Sequence, residues 1–443
     1  MSTLLDDADP DELLRAAEEI GGEPAPEAQT DADAGPAWAA LPVRELAAEP
    51  SQRRAATERT LAWARELGAR WDGIAFDVDA AGDVAVHATR ALAAGEAILR
   101  LPRRAIIVDN ELAESATGQP ALDAPADALA AWLAREARAP TSPWRAYLDS
   151  LPVRLDALPM FHGDLGPLAG TAAHALAAAK NRDVRAAYAQ LPAALGLSLA
   201  EFAWGHAQVM SRAFHAPGTF EHRLAMMPLI DLFNHGLGDT TWTYDPRQGL
   251  VVRTERAIAA GAEVCFPYGV RSNTHLFVHF GFVLPDNPAN EASLRFERPA
   301  DPINATAARL LWGFASPIQL RVSGVFDDRF QRALSVARLL ASTAEDRARI
   351  RGLGLTPYGD LPWLDTGHEA AALGVLATAA GRAFAALTDA PGDPGHLRVR
   401  DGERAVLAQI ADFTRAARAY LRAPTELVPG DASELLRDYL RAI

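Results

Sequence analysis

Residues 226–236 read MMPLIDLFNHG, and residues 261–290 read GAEVCFPYGVRSNTHLFVHFGFVLPDNPAN. These segments carry two clusters of polar side chains, Asp231 to His235 and Tyr268 to Asn273. Neither cluster holds an obvious nucleophile or a set of metal ligands. An Asn-His pair, together with a Tyr at the end of an apolar strand, suits a site that holds a polar cofactor and orients a substrate nitrogen. The two clusters therefore predict where the chemistry of this chain takes place.

The length and hydropathy of the chain limit its class. A chain of 443 residues, 49% of them hydrophobic, is long enough for two or three domains with buried cores. It has no run of 18 apolar residues, so we expect no membrane span. The N-terminus is acidic and lacks the basic and apolar pattern of a signal peptide. We therefore expect a cytoplasmic protein.

Charge and cysteine content exclude further classes of function. The net charge is −14, but residues 1–50 carry 13 acidic residues and 2 arginines, so the remainder is close to neutral. Without a basic patch, we expect no nucleic-acid partner. Cys265 is the only cysteine, which excludes an intrachain disulfide and a Cys-rich zinc site. His206, His215 and His222 lack the spacing of metal ligands, so no metal is expected. No P-loop, Gly-x-Ser-x-Gly or His-Glu-x-x-His motif is present.

The hydrophobic periodicity changes several times along the chain. The predicted elements are a disordered acidic tail (1–50), a helix (53–70), short strands (74–108), a helical stretch (111–225), strands (240–267), a helix (272–280), a strand (292–297) and a helical region reaching residue 443. This order predicts an α+β fold in which a β domain is split by a helical insertion and followed by an all-α C-terminal domain.

Several motifs occur in the order found in one known family. They are Leu61–Ala69, Ala85–Glu96 with Ile98–Pro102, Ser142–Pro152, Phe202–Trp204 with Ser211–Phe214, the Pro-x-x-Asp-x-x-Asn-His run of residues 228–235, and the Tyr-Gly-x-Arg-Ser-Asn run of residues 268–273. In this order they resemble the SET-domain protein methyltransferases, most closely the branch with the Rubisco large-subunit lysine methyltransferase and the actin-histidine methyltransferase. The resemblance implies a SET domain over residues 51–290, with the helical insertion at about 111–225, and a helical substrate-binding domain over residues 291–443.

The resemblance also implies a cofactor, S-adenosylmethionine, and a protein substrate; we expect a monomer. It places Asn234 and His235 against the cofactor, and Ser211-Arg212 near its carboxylate, which suits a guanidinium. It makes Tyr268 both the catalytic residue and a wall of the cofactor site. Arg271-Ser272 would close over the cofactor. Each has a structural alternative: Tyr268 as a core tyrosine, Arg212 as a helix-surface side chain, Ser272 as a helix N-cap.

Two features leave the reaction open. The family usually carries a Gly-x-Gly turn before Ala-Thr-Arg, whereas here only Gly82 remains, which allows a catalytically weak SET-like binding module. The lysine-methylating relatives usually have Tyr before Gly-Phe, whereas this chain has Phe280. The predicted activity is methyl transfer to a side-chain nitrogen, with lysine as the acceptor and histidine as the alternative.

Overall fold

The computed structural model describes residues 39–42, 50–108, 124–153, 155–215, 224–245, 249–297, 303–304, 306–308, 318–351, 353, 360–423 and 432–442. The predicted tail over residues 1–38 and 43–49, the start of the predicted insertion at 111–123, and His222 lie outside these ranges.

Strands and helices occur in groups along the described chain. The strands are β1 (Arg70–Trp71), β2 (Ile74–Val78), β3 (Val84–Ala88), β4 (Ala97–Leu101), β5 (Ile107–Val108), β6 (Ala213–His215), β7 (Leu224–Met226), β8 (Thr240–Asp245), β9 (Gly249–Thr254), β10 (Glu291–Phe296) and β11 (Ile318–Ser323). The helices are α1 (Pro50–Glu66), α2 (Pro125–Glu136), α3 (Arg145–Ser150), α4 (Ala172–Ala189), α5 (Leu199–Arg212), α6 (Asn273–Phe280), α7 (Asp328–Ala341), α8 (Ala344–Arg351), α9 (Thr366–Ala386), α10 (Pro394–Arg422) and α11 (Glu434–Ala442).

The β core consists of small antiparallel sheets. One has the order β1-β4-β9-β8, a second is the β2-β3 hairpin, and a third has the order β5-β7-β6. Leu250 and Val252 on one face of the central strand β9, and Val251 on the other face, are all buried, so this strand is covered on both faces. The α+β class predicted from the sequence is confirmed, with β4 and β9 brought together from opposite sides of the helical insertion.

Two predicted elements differ from the observed ones. Residues 213–215, predicted as helix, form β6, because the chain turns extended after Arg212 and pairs with β7. The predicted strand over residues 263–266 forms single bridges instead of a ladder. Glu263 bridges to His87 and Phe266 bridges to His235, so the segment changes partner within four residues, and Pro267, which lacks an N–H, follows it.

The insertion packs around α2 and α5. Ser198 caps α5 in a reciprocal capping box with Glu201. Leu41, inside the predicted disordered tail, is buried in the core of this insertion, and its N–H donates to Met160 O at 2.9 Å. Residues 39–41 therefore differ from the prediction of a disordered tail over residues 1–50, because a single apolar side chain finds a pocket that the tail's composition does not reveal.

The C-terminal region is mainly helical but includes a two-stranded antiparallel sheet. Strand β10 was predicted; its antiparallel partner β11 was not, and the two pair along six residues each. Helices α7 and α9 are joined by a buried ion pair in which Arg338 contacts both carboxylate oxygens of Glu369, at 2.8 and 2.9 Å. The Tyr439 hydroxyl donates to Glu369 at 2.9 Å. No helix within the described ranges has the length and apolar character needed to cross a membrane.

Helix α6 lies where the insertion, the β core and the C-terminal region meet. It packs against α4, α5 and α10. Glu403 on α10 accepts from Ala172 N at the start of α4, at 2.9 Å, and from the Thr274 hydroxyl on α6, at 2.8 Å. Burial raises the pKa of Glu403 to about 7. The helix that follows the Tyr-Gly-x-Arg-Ser-Asn motif is thus held by the insertion and by the C-terminal region.

Candidate functional site

One cavity of about 700 Å³ collects most of the residues singled out in the sequence. The predicted site residues that line it are Ser211, Arg212, Asn234, His235, Tyr268 and Arg271. They come from the end of α5, from the segment after β7 and from the segment before α6. The two clusters that stand about thirty residues apart in the sequence therefore face one space.

Backbone pairing holds the two clusters together. Phe266 N donates to Asn234 O at 2.8 Å, and Gly236 N donates to Phe266 O at 3.3 Å. The Asn234 side chain donates to Glu263 Oε1 at 2.7 Å. Just upstream, Leu229 has φ +72°, a strained value for a non-glycine residue. The chain accepts this strain at the turn that brings Asn234 beside the second cluster.

Asp231 lines the cavity and holds its neighbours in place through hydrogen bonds. Its carboxylate accepts from the buried Tyr147 hydroxyl at 2.8 Å, and Arg212 Nη1 donates to its backbone oxygen at 2.7 Å. Burial raises the pKa of Asp231, and the Arg212 charge opposes that shift. These contacts fix the turn and hold Arg212 at the cavity, so Asp231 has a structural role.

Arg53 is a lining residue that the sequence did not single out. It enters the cavity from α1, and burial together with the nearby Arg212 charge lowers its pKa to about 10. The Nε atoms of Arg53 and Arg212 are both buried and have no hydrogen-bond partner. Two guanidinium groups with unused donors suit an anionic group such as a carboxylate. Nothing in the local sequence of α1 marks Arg53, since only the fold brings it to Arg212.

Tyr268 stands in an aromatic wall. Its hydroxyl donates to Phe233 O at 2.6 Å, and its N–H donates to His235 Nδ1 at 3.2 Å. The rings of His235 and Phe280 lie 5.2 and 5.0 Å from its ring, and Phe282 closes the cluster. Burial raises the pKa of Tyr268 to about 12. The hydroxyl therefore stays protonated at neutral pH and acts as a hydrogen-bond donor.

His235 presents a neutral ring. Its Nδ1 accepts the Tyr268 N–H, so the proton of the ring lies on Nε2. Burial lowers the pKa of His235, which favours that neutral form. The ring therefore contributes shape and a hydrogen-bond donor to the cavity instead of a charge.

Two predicted cofactor contacts have other partners here. Ser272 does not line the cavity; it is buried and caps α6 by accepting from His275 N at 3.4 Å. Ser272 thus has the N-cap position that the structural alternative describes, and its contact with the cofactor stays a prediction. Ser211 does line the cavity, but its hydroxyl donates to Ala207 O at 2.8 Å within α5. The reason is local: each hydroxyl satisfies a backbone group of its own helix.

The shortened glycine turn joins β2 and β3 beside the cavity. The Asp79 carboxylate accepts from Ala81 N and Asp83 N, each at 2.8 Å, and Gly82 has φ +90°. Asp83 and Val84 line the cavity. One glycine with a positive φ, supported by an aspartate turn, is therefore sufficient to bring this backbone to the site.

Cations surround the start of α6. His275 lines the cavity, and its ring stacks on His279 at 4.0 Å. Burial, followed by the charges of neighbouring cationic groups, lowers their pKa values to about 3 and about 4. Those neighbours include Lys180 on α4, Arg271 and Arg321 on β11; among the described residues none of the three forms an ion pair within 4 Å, although Arg321 interacts electrostatically with the buried Glu403. This edge of the cavity is therefore positively charged in a chain that is acidic as a whole.

Comparison with known proteins agrees with this geometry. Residues 83–269 match the model of the SET domain. The chain is 27% identical to the actin-histidine N-methyltransferase of Drosophila melanogaster over 66% of this chain and 62% of that protein. It is also 27% identical to the actin-histidine N-methyltransferase of Homo sapiens, over 63% of this chain and 50% of that protein. The chain thus spans between about half and two thirds of the length of these relatives.

Solved structures share the fold. The SET domain of LSMT bound to lysine and AdoHcy superposes with a TM-score of 0.68 at 20% identity, over 88% of this chain and 99% of that chain. Rubisco LSMT bound to AdoMet gives a TM-score of 0.66, over 87% and 99%. The order of motifs and the paired segments at the cavity agree with this match: residues 83–269 match the SET domain, and the chain shares the fold of these structures.

Proposed function

We propose that this protein transfers a methyl group from S-adenosylmethionine to a side-chain nitrogen of a protein, with lysine as the acceptor. One observation carries the proposal: the Asn234-His235 pair and Tyr268 face a single cavity that also receives two arginines with unused donors. The names of the relatives and of the structural neighbours support methyl transfer as the reaction class.

The residues of the cavity fit the cofactor. Its anionic carboxylate would be held by Arg53 and Arg212, whose buried Nε atoms lack partners. Its polar groups would be held by the backbone near Asn234 and by the Asp83 turn, which both line the cavity. When bound, the cofactor supplies a methyl group that carries partial positive charge on a sulfonium.

The aromatic wall suits the acceptor end of the cavity. A free lysine titrates near 10.4, so deprotonation at pH 7 costs about 5 kcal/mol. Burial among Tyr268, Phe280 and Phe282 disfavours the ammonium and lowers that cost. These rings also exclude water and restrict the amine to one line of approach, since the effect of a site of this kind is mainly alignment.

Histidine is the second candidate acceptor. The curated relatives are named as actin-histidine N-methyltransferases. Phe280 lies 5.0 Å from Tyr268 and has no hydroxyl to hold an amine, and the neutral His275 nearby offers a hydrogen-bonding nitrogen to an imidazole. An imidazole titrates near 6.5, so it needs orientation instead of deprotonation.

Labelled methyl transfer tests the reaction. The protein is incubated with a cell lysate and methyl-labelled cofactor, and the modified residue is identified by mass spectrometry. Label on lysine supports the proposal, and label on histidine supports the second candidate. No label above that of a Tyr268→Phe control would refute enzymatic activity under these conditions.

Calorimetry with S-adenosylmethionine separates an enzyme from a weak binding module. Asn234→Ala should weaken binding by about 1–3 kcal/mol, the net value of one or two polar contacts. Asn181→Ala is the control, because the Asn181 amide also donates to a protein oxygen, Ala39 O, and lies outside the cavity. Absence of binding to the wild-type protein at millimolar cofactor would contradict both the enzyme and the cofactor site.

A further inference from the structure

Three cations from different elements stand at one edge of the cavity. Lys180 is on α4, Arg271 lies two residues before α6, and Arg321 is on β11. Arg271 and Arg321 are exposed, and Lys180 is partly exposed. The charges of all three act on the rings of His275 and His279. Lys180, Arg271 and Arg321 therefore form one cationic edge.

The packing of α4 on α6 places Lys180 at this edge. Ala173 and Ala177 of α4 share a hydrophobic cluster with Phe277 of α6. Residues three and four apart lie on the same face of a helix, so Lys180 continues the face of Ala177 by one turn. The position of this charge is therefore set by the contact between two helices.

Arg321 comes to the same edge from the C-terminal region. It stands opposite Ser293 in the sheet of β10 and β11, and β10 packs against α10. Its charge acts on His275 and also on Glu403 of α10. Glu403 accepts from the Thr274 hydroxyl, and Thr274 directly precedes His275 on α6. Arg321 is therefore close to the start of α6.

The carboxylates of the neighbouring elements have other partners. Glu291 of β10 pairs with Arg329. Glu403 is buried and accepts from Ala172 N and from the Thr274 hydroxyl. In the part of the chain that the structure describes, none of the three cations forms an ion pair within 4 Å. Like charges held near one another repel, so an anion from outside the chain would stabilise this edge.

The cationic edge adjoins the proposed acceptor end of the cavity. The ring of Phe280 lies 5.0 Å from that of Tyr268 and 6.0 Å from that of His275. His275 itself lines the cavity. Arg53 and Arg212, which would hold the cofactor carboxylate, are not among the charges that act on His275. The anion that suits the cationic edge is therefore a different one, next to the acceptor.

We propose that the cationic edge binds acidic side chains of the substrate protein, aspartate or glutamate within about four residues of the methylated residue. An extended chain advances about 3.3 Å per residue, so four residues extend about 13 Å from the acceptor. The assignment rests on the proposed function, since the bound segment is the methyl acceptor, and it names the chemical class of that segment. Exposed ion pairs are individually weak, so several acidic side chains together give the preference.

Two matched peptides test the edge on the full chain. Each is acetylated and has 13 residues; one has glutamate and the other glutamine at the second and third positions on either side of the centre. Both are made with lysine and with histidine at the centre. Binding is followed by fluorescence anisotropy with S-adenosylhomocysteine present. The glutamate peptide should bind at least fivefold more tightly at low salt, and 0.5 M NaCl should remove most of this difference.

Two variants assign the preference to the cationic edge. Lys180→Gln and Arg321→Gln should each weaken binding of the glutamate peptide about twofold to fivefold, and leave that of the glutamine peptide unchanged. Arg182→Gln is the matched control. Arg182 is an exposed cation two residues further along α4, and its charge does not act on His275 or His279. This control should bind both peptides as the wild type does, and an equal loss in it would overturn the assignment to this edge.

Chemical coupling locates the bound carboxylates directly. A carbodiimide joins a carboxylate to an amine as an amide, with loss of water, and Lys180 is the only lysine of the chain. Mass spectrometry should find Lys180 joined to a glutamate of the peptide, and 0.5 M NaCl should suppress this product. Coupling only to acidic residues within the segment 1–38, with no peptide bound, would overturn the proposal and make that segment the occupant of the edge.

Other results would also overturn the proposal. They are an absence of peptide binding, equal affinity for the two peptides, and an affinity for the glutamate peptide that is unchanged in Lys180→Gln and Arg321→Gln. An oligothymidylate of the same net charge that binds as tightly as the glutamate peptide would favour a nucleic-acid surface instead. Binding and coupling need no methyl transfer. A protein that prefers the glutamate peptide but transfers no methyl group would therefore refute the proposed function and leave the acidic preference in place.

Discussion

The exchange of Tyr268 for phenylalanine removes one hydroxyl from the centre of the proposed active site. That hydroxyl donates to Phe233 O at 2.6 Å, so Tyr268→Phe leaves a carbonyl without its partner, at a cost of about 1 kcal/mol of stability. Tyr188→Phe is a close control, because the Tyr188 hydroxyl also donates to a backbone carbonyl, that of Leu197, at 3.0 Å, and lies outside the cavity. The two variants should therefore melt within a few degrees of each other.

Their turnover should differ. In the proposed reaction, Tyr268→Phe removes an oxygen that would face the reacting methyl group, with C–H···O contacts of about 0.5–1 kcal/mol each, and it loosens a ring that would align the acceptor. A combined loss of about 1.4–3 kcal/mol in the transition state lowers kcat roughly tenfold to a hundredfold. Tyr188→Phe should retain wild-type kcat, and both variants should retain the affinity for S-adenosylmethionine.

The assay is labelled-methyl transfer at saturating cofactor and substrate, with melting followed by circular dichroism. Because burial raises the pKa of Tyr268 to about 12, the loss in rate should be the same at every pH between 6 and 9. A kcat for Tyr268→Phe within twofold of the wild type would show that the active centre lies elsewhere. A loss confined to one end of the pH range would show that Tyr268 transfers a proton.

Four further outcomes are expected. Deletion of residues 1–38 should leave the melting temperature nearly unchanged, whereas deletion of residues 1–49 also removes Leu41 and should cost about 2–3 kcal/mol, since Leu41 is fully buried; equal melting of the two would contradict the packing of Leu41. In the fold the pKa values of His275 and His279 are about 3 and about 4, so below pH 6.5 these two side chains bind more protons in the unfolded state than in the folded state. The free energy of unfolding should therefore fall as the pH drops from 6.5 toward 4. The free energy of unfolding should fall less over this pH range in the double variant His275→Gln/His279→Gln. An equal fall in the variant and in the wild type would show that these two histidines do not cause it. A lysine acceptor predicts a rate that rises with pH toward 9, whereas a rate that levels off above about 7.5 would identify histidine. Arg321 contributes to the positive charge at the edge of the cavity, so Arg321→Gln should raise KM up to about fivefold for a substrate peptide with acidic flanks, and less at high salt. An equal rise for a peptide with basic flanks would show that charge attraction at this edge does not hold the peptide.

Much of the site could be predicted from short motifs, because each carries its geometry locally. The Pro-x-x-Asp-x-x-Asn-His run contains both the strained turn at Leu229 and the residues it presents. Arg212 is the last residue of α5, where a side chain can reach the segment that follows the helix. Ser272 illustrates the limit of such motifs: its position before α6 is that of an N-cap, as the hydrogen bond that it accepts from His275 N shows, and its contact with the cofactor stays a prediction.

The remaining features depend on long-range contacts, which leave no local trace in the sequence. Arg53 reaches the cavity only because α1 packs beside the β core, and β11 forms only because β10 offers it an open edge. Leu41 is buried by a pocket that the insertion builds.

The amino-acid sequence by itself determined the resemblance to SET domains, the α+β class and the two polar clusters, because periodicity and motif order are properties of neighbouring residues. Only the tertiary structure decided which residues meet: Arg53 with Arg212, Glu403 with Thr274, and His162 with His396. Each of these pairs joins segments that lie far apart in the chain, and such contacts follow from the packing of whole elements, whose free energy is shared among many side chains.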